Sequence, residues 1–320
     1  MILKIGLTRA YGLAGYYSGA LIARASARRG FRMGGAHAQE AVAKVILFSA
    51  SAFLIVAMGT VLVYLSVEGT RLFFGDHISP LTFLFSSNFS PDDRHPGALV
   101  FIVGSLAITL FATCVGGPFG IAVGVFLSQL APKRLAGIMK PAIEILVGIP
   151  SVVYGWLGLT LLAPLIREHL GSLTGYGLLT AGIVLSIMIL PTVITLSEDA
   201  LHTVPGALRE GSLALGATRW QTIFRVLLPA ARSGLIVAII LGIARAIGET
   251  LAVQMVIGNA AVFPRSLFSP TSALPTEIVT DMGGAAPGSV LYHSLLSMAF
   301  LLLLIAMGLI LAVRVALRRT

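Results

Sequence analysis

Long uninterrupted runs of apolar residues dominate the chain, and shorter polar stretches separate them. A helix needs about 20 apolar residues to cross the hydrocarbon core of a bilayer, and six runs meet this length. They lie at about 41–67, 98–130, 138–166, 176–197, 232–258 and 290–313. Because the apolar positions are continuous and do not alternate, membrane-spanning strands are disfavoured. The pattern predicts an all-α polytopic membrane protein with six transmembrane helices.

The composition indicates the same class of protein. Of the 320 residues, 57% are hydrophobic and only 11% are charged, whereas soluble domains carry about 25% charged residues. A mean hydropathy of +0.95 leaves too little polar surface for a soluble fold. The single cysteine, Cys114, excludes an internal disulfide and a cysteine metal cluster, and we expect no metal site.

The distribution of lysine and arginine predicts the orientation, because cytoplasmic connections carry an excess of these residues. With the N-terminus inside, 17 of the 22 lie in inner segments, and Arg245 lies within a span. Only four lie outside: Arg71, Arg94, Arg167 and Arg265. We therefore expect a multi-pass membrane protein with both termini cytoplasmic.

Residues 1–40 form a basic segment that is only weakly apolar. A cleaved signal peptide is disfavoured, because Gly, Ser and Tyr interrupt the apolar stretch and a basic cluster follows it. We interpret the segment as a cytoplasmic stretch lying on the membrane surface. A start wrongly assigned upstream of Met33 is the alternative.

The largest polar interruption on the inner side is 198–231, which predicts two short amphipathic helices separated by Gly216. Pro205 suits a first helical turn and Thr218 suits an N-cap. The segment carries six large apolar residues outside the bilayer: Leu208, Leu213, Trp220, Ile223, Phe224 and Leu227. Either it packs on the ends of its own membrane helices, or it inserts these side chains into a groove of a partner protein.

Part of this segment resembles the EAA loop of ATP-binding-cassette importer permeases. The residues concerned are Glu210, Gly211 and Ser212, then Gly216, then Ile223 through Leu228-Pro229. Gly211 and Ser212 replace the two alanines by other small residues, which preserves close helix contact. The resemblance implies a type I ABC importer permease fold with a coupling loop at 205–229 that seats on the ATPase. It implies a coupling role for Glu210, Gly211, Ser212, Gly216, Ala217, Thr218 and Trp220.

The chain carries no phosphate-binding loop of its own, because such a loop requires a lysine directly after a glycine. None of its four lysines, Lys4, Lys44, Lys133 and Lys140, follows a glycine. We therefore expect a permease subunit that is not an enzyme and binds no cofactor. ATP and Mg²⁺ would be bound by a partner ATPase.

Four further stretches resemble phosphate-importer permeases of the PstC type: 143–155, 187–191, 214–223 and 244–259. The likeness covers about 97–315, which we interpret as the permease core. The rest of the chain is then a basic cytoplasmic N-terminal segment at 1–40, a first transmembrane helix with a periplasmic loop at 41–96, and a cytoplasmic tail at 316–320. The implied partners are a PstA-like permease, a PstB-like ATPase dimer, a PstS-like periplasmic phosphate-binding protein and membrane lipid, with no nucleic acid. The outer connections 68–97 and 259–289 either form a docking surface for the binding protein or are simply solvated loops.

Arg245 and Glu249 are the most informative residues, because both fall inside the fifth apolar run. A charge at mid-membrane costs roughly 2.5–3.5 kcal/mol on insertion scales, so such residues usually pair or line a cavity. Four residues apart, they are expected on one helical face, where they could simply pair with each other. Alternatively, the Arg245 guanidinium attracts the anion along its path and Glu249 orients it.

Three hydroxyl residues are weaker pathway candidates: Ser151, Tyr154 and Thr250. The first two follow Pro150, which frees a backbone carbonyl, so their hydroxyls could equally satisfy that carbonyl. Proline is also expected to break the fourth run at Pro191 and to kink or interrupt the second at Pro118.

Two other functions remain open on the residues alone. The cargo could be another oxyanion, namely sulfate, molybdate or phosphonate, because Arg245 would attract any of them. A stand-alone ion-coupled transporter would require an internal inverted repeat, and none is convincing. A membrane enzyme lacks a cluster of catalytic residues to support it.

Overall fold

The computed structural model describes residues 40–89 and 96–318. Within these ranges the chain is almost entirely helical, apart from an isolated bridge between Gly258 and Thr271. The chain divides into two units, Met1–Val63 and Tyr64–Thr320. Helix α1, Glu40–Phe74, begins in the first unit, and none of its most apolar window is buried. The predictions for residues 1–39 fall outside the described residues.

Eleven further helices can be followed in the described part of the second unit. They are α2 Pro80–Phe85, α3 Leu99–Leu130, α4 Lys133–Gly148, α5 Ser151–Leu170, α6 Leu178–His202, α7 Gly206–Ala214, α8 Arg219–Ala230, α9 Arg232–Ile247, α10 Leu251–Gln254, α11 Leu274–Met282 and α12 Val290–Arg318.

Four of these helices, α1, α3, α6 and α12, are each long and apolar enough to cross a membrane. Two bent pairs, α4 with α5 and α8 with α9, raise the number to six if each pair counts as one span. This confirms the all-α class and the general position of the predicted runs. The six spans are not all continuous helices as expected, because the α4–α5 span and the α8–α9 span are each broken.

The run predicted at 138–166 is not one helix. Its two halves, α4 and α5, meet at an angle of 95° across Ile149 and Pro150. Proline has no N–H to donate and disfavours helical geometry in the residue before it, and Ile149 is extended at φ −69° and ψ 127°. The 20 residues of α5 are therefore the part of this run that is long enough to span.

The break expected at Pro191 does not occur, and of the two alternatives at Pro118 the interruption does not occur. Helix α3 continues through Pro118, and α6 continues through Pro191. The two helices pack closely along a ridge of small residues, because a Cβ on Gly116, Gly120 or Gly124 would lie 2.8–2.9 Å from side-chain atoms of α6. Such close packing compensates in each helix for the one backbone hydrogen bond that proline removes.

The main buried core is built around α6 and includes residues from α3, α5, α9 and α10, among them Ile108, Leu185, Ile189 and Val256. On the outer side, the segment before α11 packs against α3. The Ser105 hydroxyl accepts a hydrogen bond from the Leu274 N–H at 2.8 Å, beside Gly104. This segment closes the outer end of the core.

Candidate functional site

Arg245 lies near the end of α9 and contacts α6. Its Nη1 donates a hydrogen bond to the Thr192 hydroxyl at 2.9 Å, and both side chains are half-buried. Thr192 follows Pro191 and lies about 15 Å along α6 from His202, at 1.5 Å per residue. A cation is therefore held by a neutral partner inside the helical bundle.

Glu249 does not share a helical face with Arg245, because α9 ends at Ile247 and Gly248 follows. Glu249 instead precedes α10, where its Oε1 accepts a hydrogen bond from the Ala252 N–H at 3.4 Å. Among the described residues, no ion pair joins the two side chains. The expectation of one shared face is wrong, since a glycine ends the helix between them.

Glu249 lines a narrow cavity toward the outer side of the core. Ser105 and Thr109 of α3 line it too, together with Ala273 and Pro275 from the segment that enters α11. Its volume is about 10 Å³, which is close to the minimum that holds one water molecule. A space of this size is too small to hold an oxyanion.

The three hydroxyl candidates make local contacts. The Tyr154 hydroxyl donates to the Leu146 carbonyl at 2.8 Å, across the break at Pro150, so it satisfies the carbonyl that proline leaves free. The Thr250 hydroxyl donates to the Gly248 carbonyl at 3.3 Å. Ser151 begins α5 and is half-buried. Tyr154 is nevertheless close enough to Arg245 to interact with its charge.

A larger cavity of about 150 Å³ lies between α4 and α6, toward the coupling segment. Six polar residues line it: Lys140, Glu144, Thr195, Glu198, Asp199 and His202. Lys140 Nζ lies 2.5 Å from Glu198 Oε1, and His202 Nε2 lies 3.3 Å from the same oxygen. The side chain of Glu198 is only 9% exposed, so its charge depends on these partners.

Neither the contact of Thr192 with Arg245 nor the polar cavity between α4 and α6 was predicted from the sequence. Thr192, Thr195, Asp199 and His202 follow one another at intervals of three or four residues on a helix that is mostly apolar and mostly buried. That spacing places them along one side of α6 and could have been recognised from the sequence. A single threonine within an apolar run carries no such signal.

The predicted coupling loop forms two short helices, α7 and α8, joined at Gly216 with φ +82°. Thr218 caps α8: its hydroxyl accepts the Gln221 N–H, while the Gln221 side chain accepts the Thr218 N–H. The Ser212 and Thr222 hydroxyls lie 3.1 Å apart and connect the two helices. The predicted N-cap and glycine turn are confirmed, although α8 continues one residue past Pro229.

The apolar residues of this segment are divided between a buried face and an exposed face. Ile223 and Leu227 are buried against the ends of the chain's own helices, including Val125 and Leu201. The other face of the segment is exposed and carries five large apolar residues: Leu208, Leu213, Leu215, Trp220 and Phe224. The Trp220 and Phe224 rings stack with centroids 5.6 Å apart. We call these five exposed residues the coupling surface; Glu210, Gly211 and the turn residue Ala217 lie close to them in the chain.

Residues 116–317 match the family described as the binding-protein-dependent transport system inner membrane component. The chain belongs to this family. The permease is 46% identical over 277 residues to a probable ABC transporter permease protein, YqgH, of Bacillus subtilis (strain 168), with 86% of this chain and 90% of the relative covered. It is 36% identical to the phosphate transport system permease protein PstC of Pasteurella multocida (strain Pm70), with 71% and 78% covered.

Solved structures share this architecture. The permease resembles a chain of the MetNI methionine ABC transporter in an inward-facing conformation, with a TM-score of 0.51 and 25% identity over 67% of this chain and 93% of that one. It also resembles a chain of a bacterial alginate ABC transporter in complex with a periplasmic protein, with a TM-score of 0.59, 16% identity and 85% and 94% covered. The type I ABC importer permease fold is thus confirmed.

Glu277 was expected in an outer loop, but the structure buries it in the permease. Only 5% of the residue is exposed, and the Ser272 hydroxyl donates to its Oε2 at 2.8 Å. Burial raises the pKa of Glu277 from 4.5 to about 7; the Ser272 hydrogen bond opposes this rise, and the nearby Asp281 adds to it. The carboxyl is thus neutral over a range in which it is ionised in the unfolded chain.

This burial predicts a pH-dependent stability. The folded permease binds the Glu277 proton more tightly than the unfolded chain, so its contribution becomes less favourable as the pH rises from 4.5 to about 7. We expect Glu277→Gln to raise the melting temperature at about pH 8 and to leave it nearly unchanged at about pH 4.5. Thermal unfolding of the purified transporter at both pH values measures this, with the exposed Glu168→Gln as control. A Glu277→Gln permease with the wild-type pH dependence would contradict the assignment.

Proposed function

We propose that this permease is the transmembrane subunit of an ATP-driven importer that carries inorganic phosphate into the cytoplasm. The observation that carries the proposal is its similarity to PstC permeases: it is 36% and 35% identical to those of Pasteurella multocida and Haemophilus influenzae over 70% or more of its length. The arginine inside the helical bundle supports an anionic cargo. No covalent chemistry is required of this chain, so it acts as a permease without enzyme activity of its own.

Arg245 is suited to meet the anion on its path. A guanidinium stays charged at every working pH and presents a planar fork that matches phosphate oxygens. Its partner in the structure is the Thr192 hydroxyl, a neutral group that an arriving anion can replace. Because no carboxylate competes for Arg245 in the described residues, its charge is available to the cargo. Glu249 then acts at the narrow outer cavity, separately from Arg245.

The difference between the two cavities supports a path that is open toward the end of α6 that leads into α7. The outer cavity at Glu249 has about 10 Å³, whereas the cavity between α4 and α6 has about 150 Å³. The larger one lies at the end of α6 that leads into α7. We place this end and both termini on the cytoplasmic side, in agreement with the excess of lysine and arginine there. The conformation is then inward-facing, like that of the MetNI structure it resembles.

The proposed assembly contains three kinds of partner. A PstA-like permease would complete the membrane pore, and two PstB-like subunits would bind ATP and Mg²⁺ and hydrolyse the nucleotide. A PstS-like periplasmic protein would deliver phosphate to the outer side. The coupling surface would seat on the ATPase, so that closure of the motor moves α7 and α8 against the helix ends they pack on.

Labelled phosphate uptake tests the proposal. Cells that lack their own high-affinity system would receive this permease with its cognate partners, with excess unlabelled sulfate or molybdate present. Uptake that resists both competitors supports phosphate as the cargo. Inhibition by either competitor would assign another oxyanion, and transport by the purified chain alone would replace the proposal by an ion-coupled transporter.

Trp220 is expected to be a major contact with the ATPase. Buried aromatic anchors typically contribute 2 kcal/mol or more to an interface, so Trp220→Ala should weaken ATPase binding by about 30-fold. Co-purification and titration of the ATPase onto the permease in detergent would measure this. Trp156→Ala is the matched control, because the chain's two tryptophans are similarly exposed, at 59% and 55%, and Trp156 lies on α5. Equal ATPase affinity in both variants would show that Trp220 is not part of the interface.

A further inference from the structure

Helix α6 carries a polar stripe, which we define as Thr192, Thr195, Asp199 and His202. The four residues recur every three or four positions, so they follow one side of the helix for about 15 Å. Thr192 is half-buried beside Arg245, and the other three are exposed, whereas the residues between them are largely buried in the core. The stripe therefore connects the buried arginine with the inner end of α6.

The part of the stripe nearest the C-terminal end of α6 lines the cavity between α4 and α6. Thr195, Asp199 and His202 line that cavity, and Lys140 of α4 lies on its other side. The Lys140 side chain is 43% exposed and that of His202 is 56% exposed, so solvent reaches the cavity from this end. A continuous polar surface thus runs from Arg245 to water.

The charges around the cavity favour weak, transient binding of an anion. Lys140 is the lysine that lines this cavity, and Glu198 holds it at a distance of 2.5 Å. An anion that takes Lys140 from Glu198 leaves Glu198 with His202 as a second partner at 3.3 Å. Two further carboxylates, Glu144 and Asp199, line the same cavity and repel an anion. One lysine among three carboxylates gives weak binding, and weak binding favours release.

We propose that the polar stripe and the cavity at Lys140 form the cytoplasmic half of the phosphate route, with Lys140 as the last cation that the anion meets. This inference rests on the proposed function and adds the path from Arg245 to the cytoplasm. Glu198 holds Lys140 in place between transport events, and Glu144 and Asp199 prevent the anion from remaining there. Thr195 lies in this path between Arg245 and Lys140.

The single cysteine of the chain makes the route directly testable. Cys114 is exposed, so the background is Cys114→Ala, into which Thr195→Cys is introduced. The complete transporter is placed in inverted membrane vesicles, and N-ethylmaleimide, a small neutral thiol reagent, labels the new cysteine. Thr203→Cys is the control, because Thr203 is exposed at the same end of α6 and does not line the cavity.

We expect phosphate to slow the labelling of Thr195→Cys and to leave that of Thr203→Cys unchanged. At a phosphate concentration of twice the Kd the rate should fall about threefold, since the free fraction is 1/(1 + [L]/Kd). Sulfate at equal ionic strength should not slow it. Adding Lys140→Gln should remove the protection by phosphate, measured as the ratio of the labelling rates with and without phosphate in that variant.

Phosphate uptake by the same Cys114→Ala transporter distinguishes a failure of the proposed route from a failure of the proposed function. If the transporter takes up phosphate but phosphate does not protect the cysteine at position 195, the route is wrong and the proposed function stands. Protection that survives Lys140→Gln would overturn the role of Lys140. If phosphate is not taken up at all, the proposed function itself fails.

Discussion

Replacing Arg245 by alanine is expected to reduce phosphate uptake by at least about tenfold at equal permease abundance. A hydrogen bond to a charged group contributes about 1.5–3 kcal/mol, and 1.4 kcal/mol corresponds to a factor of ten. Arg245 makes no ion pair with a carboxylate among the described residues, and its hydrogen-bond partner is the neutral Thr192 hydroxyl. We therefore expect the loss to come mainly from a contact with the cargo. Initial rates of labelled phosphate uptake, normalised to permease in the membrane, measure the effect.

Two further variants define what Arg245 contributes. Arg245→Lys keeps the charge and loses the planar fork, so we expect an intermediate rate. Thr192→Val removes the hydroxyl that orients the guanidinium at 2.9 Å and should cost less than the alanine variant. Unchanged uptake in Arg245→Ala would mean that the arginine is structural and that the path lies elsewhere.

Gly104→Ala is expected to lower the melting temperature of the permease by several degrees. A Cβ at this position would lie only 2.0 Å from the backbone carbonyl oxygen of Ser272, which has little freedom to move. Overpacking of this kind costs about 1–3 kcal/mol, and about 1 kcal/mol shifts the melting temperature of a 150–250-residue domain by roughly 2–4 °C. The displacement would also disturb the neighbouring hydrogen bond from Leu274 to Ser105. Thermal unfolding in detergent measures the change.

Gly137→Ala is the matched control, and it should have the opposite sign. Gly137 lies within α4, and a Cβ there would meet nothing within 4 Å. Alanine is favoured over glycine inside a helix by about 0.5–1 kcal/mol, so this variant should be slightly more stable. If both alanine variants shift the melting temperature in the same direction, the close contact between α3 and the segment before α11 does not determine stability.

The apolar runs were enough to predict the helices, because run length alone decides whether a helix can cross a bilayer. They could not predict the breaks. Pro150 breaks its run, whereas Pro191 and Pro118 do not, and the difference comes from the packing of α3 on α6. A sequence contains the proline in each case but not the neighbouring helix that compensates for it.

The candidate site was predictable only where a residue was chemically out of place. Arg245 was found because a charge inside an apolar run is costly. Thr192 was missed because a neutral hydroxyl is common in such runs. Glu277 was assigned to a loop because its burial depends on tertiary contacts that the sequence does not show. The coupling helices were predicted well, since Thr218 and Gly216 are local signals that need no tertiary contact.

The glycine ridge between α3 and α6 has a consequence for how the permease changes shape. Backbones separated by less than a side chain cannot slide past one another, because each step of sliding would bring a larger residue into the place of Gly116, Gly120 or Gly124. We therefore expect α3 and α6 to move together as a rigid body during gating. The 95° break at Ile149-Pro150 and the 71° break between α8 and α9 then act as hinges that absorb the rotation.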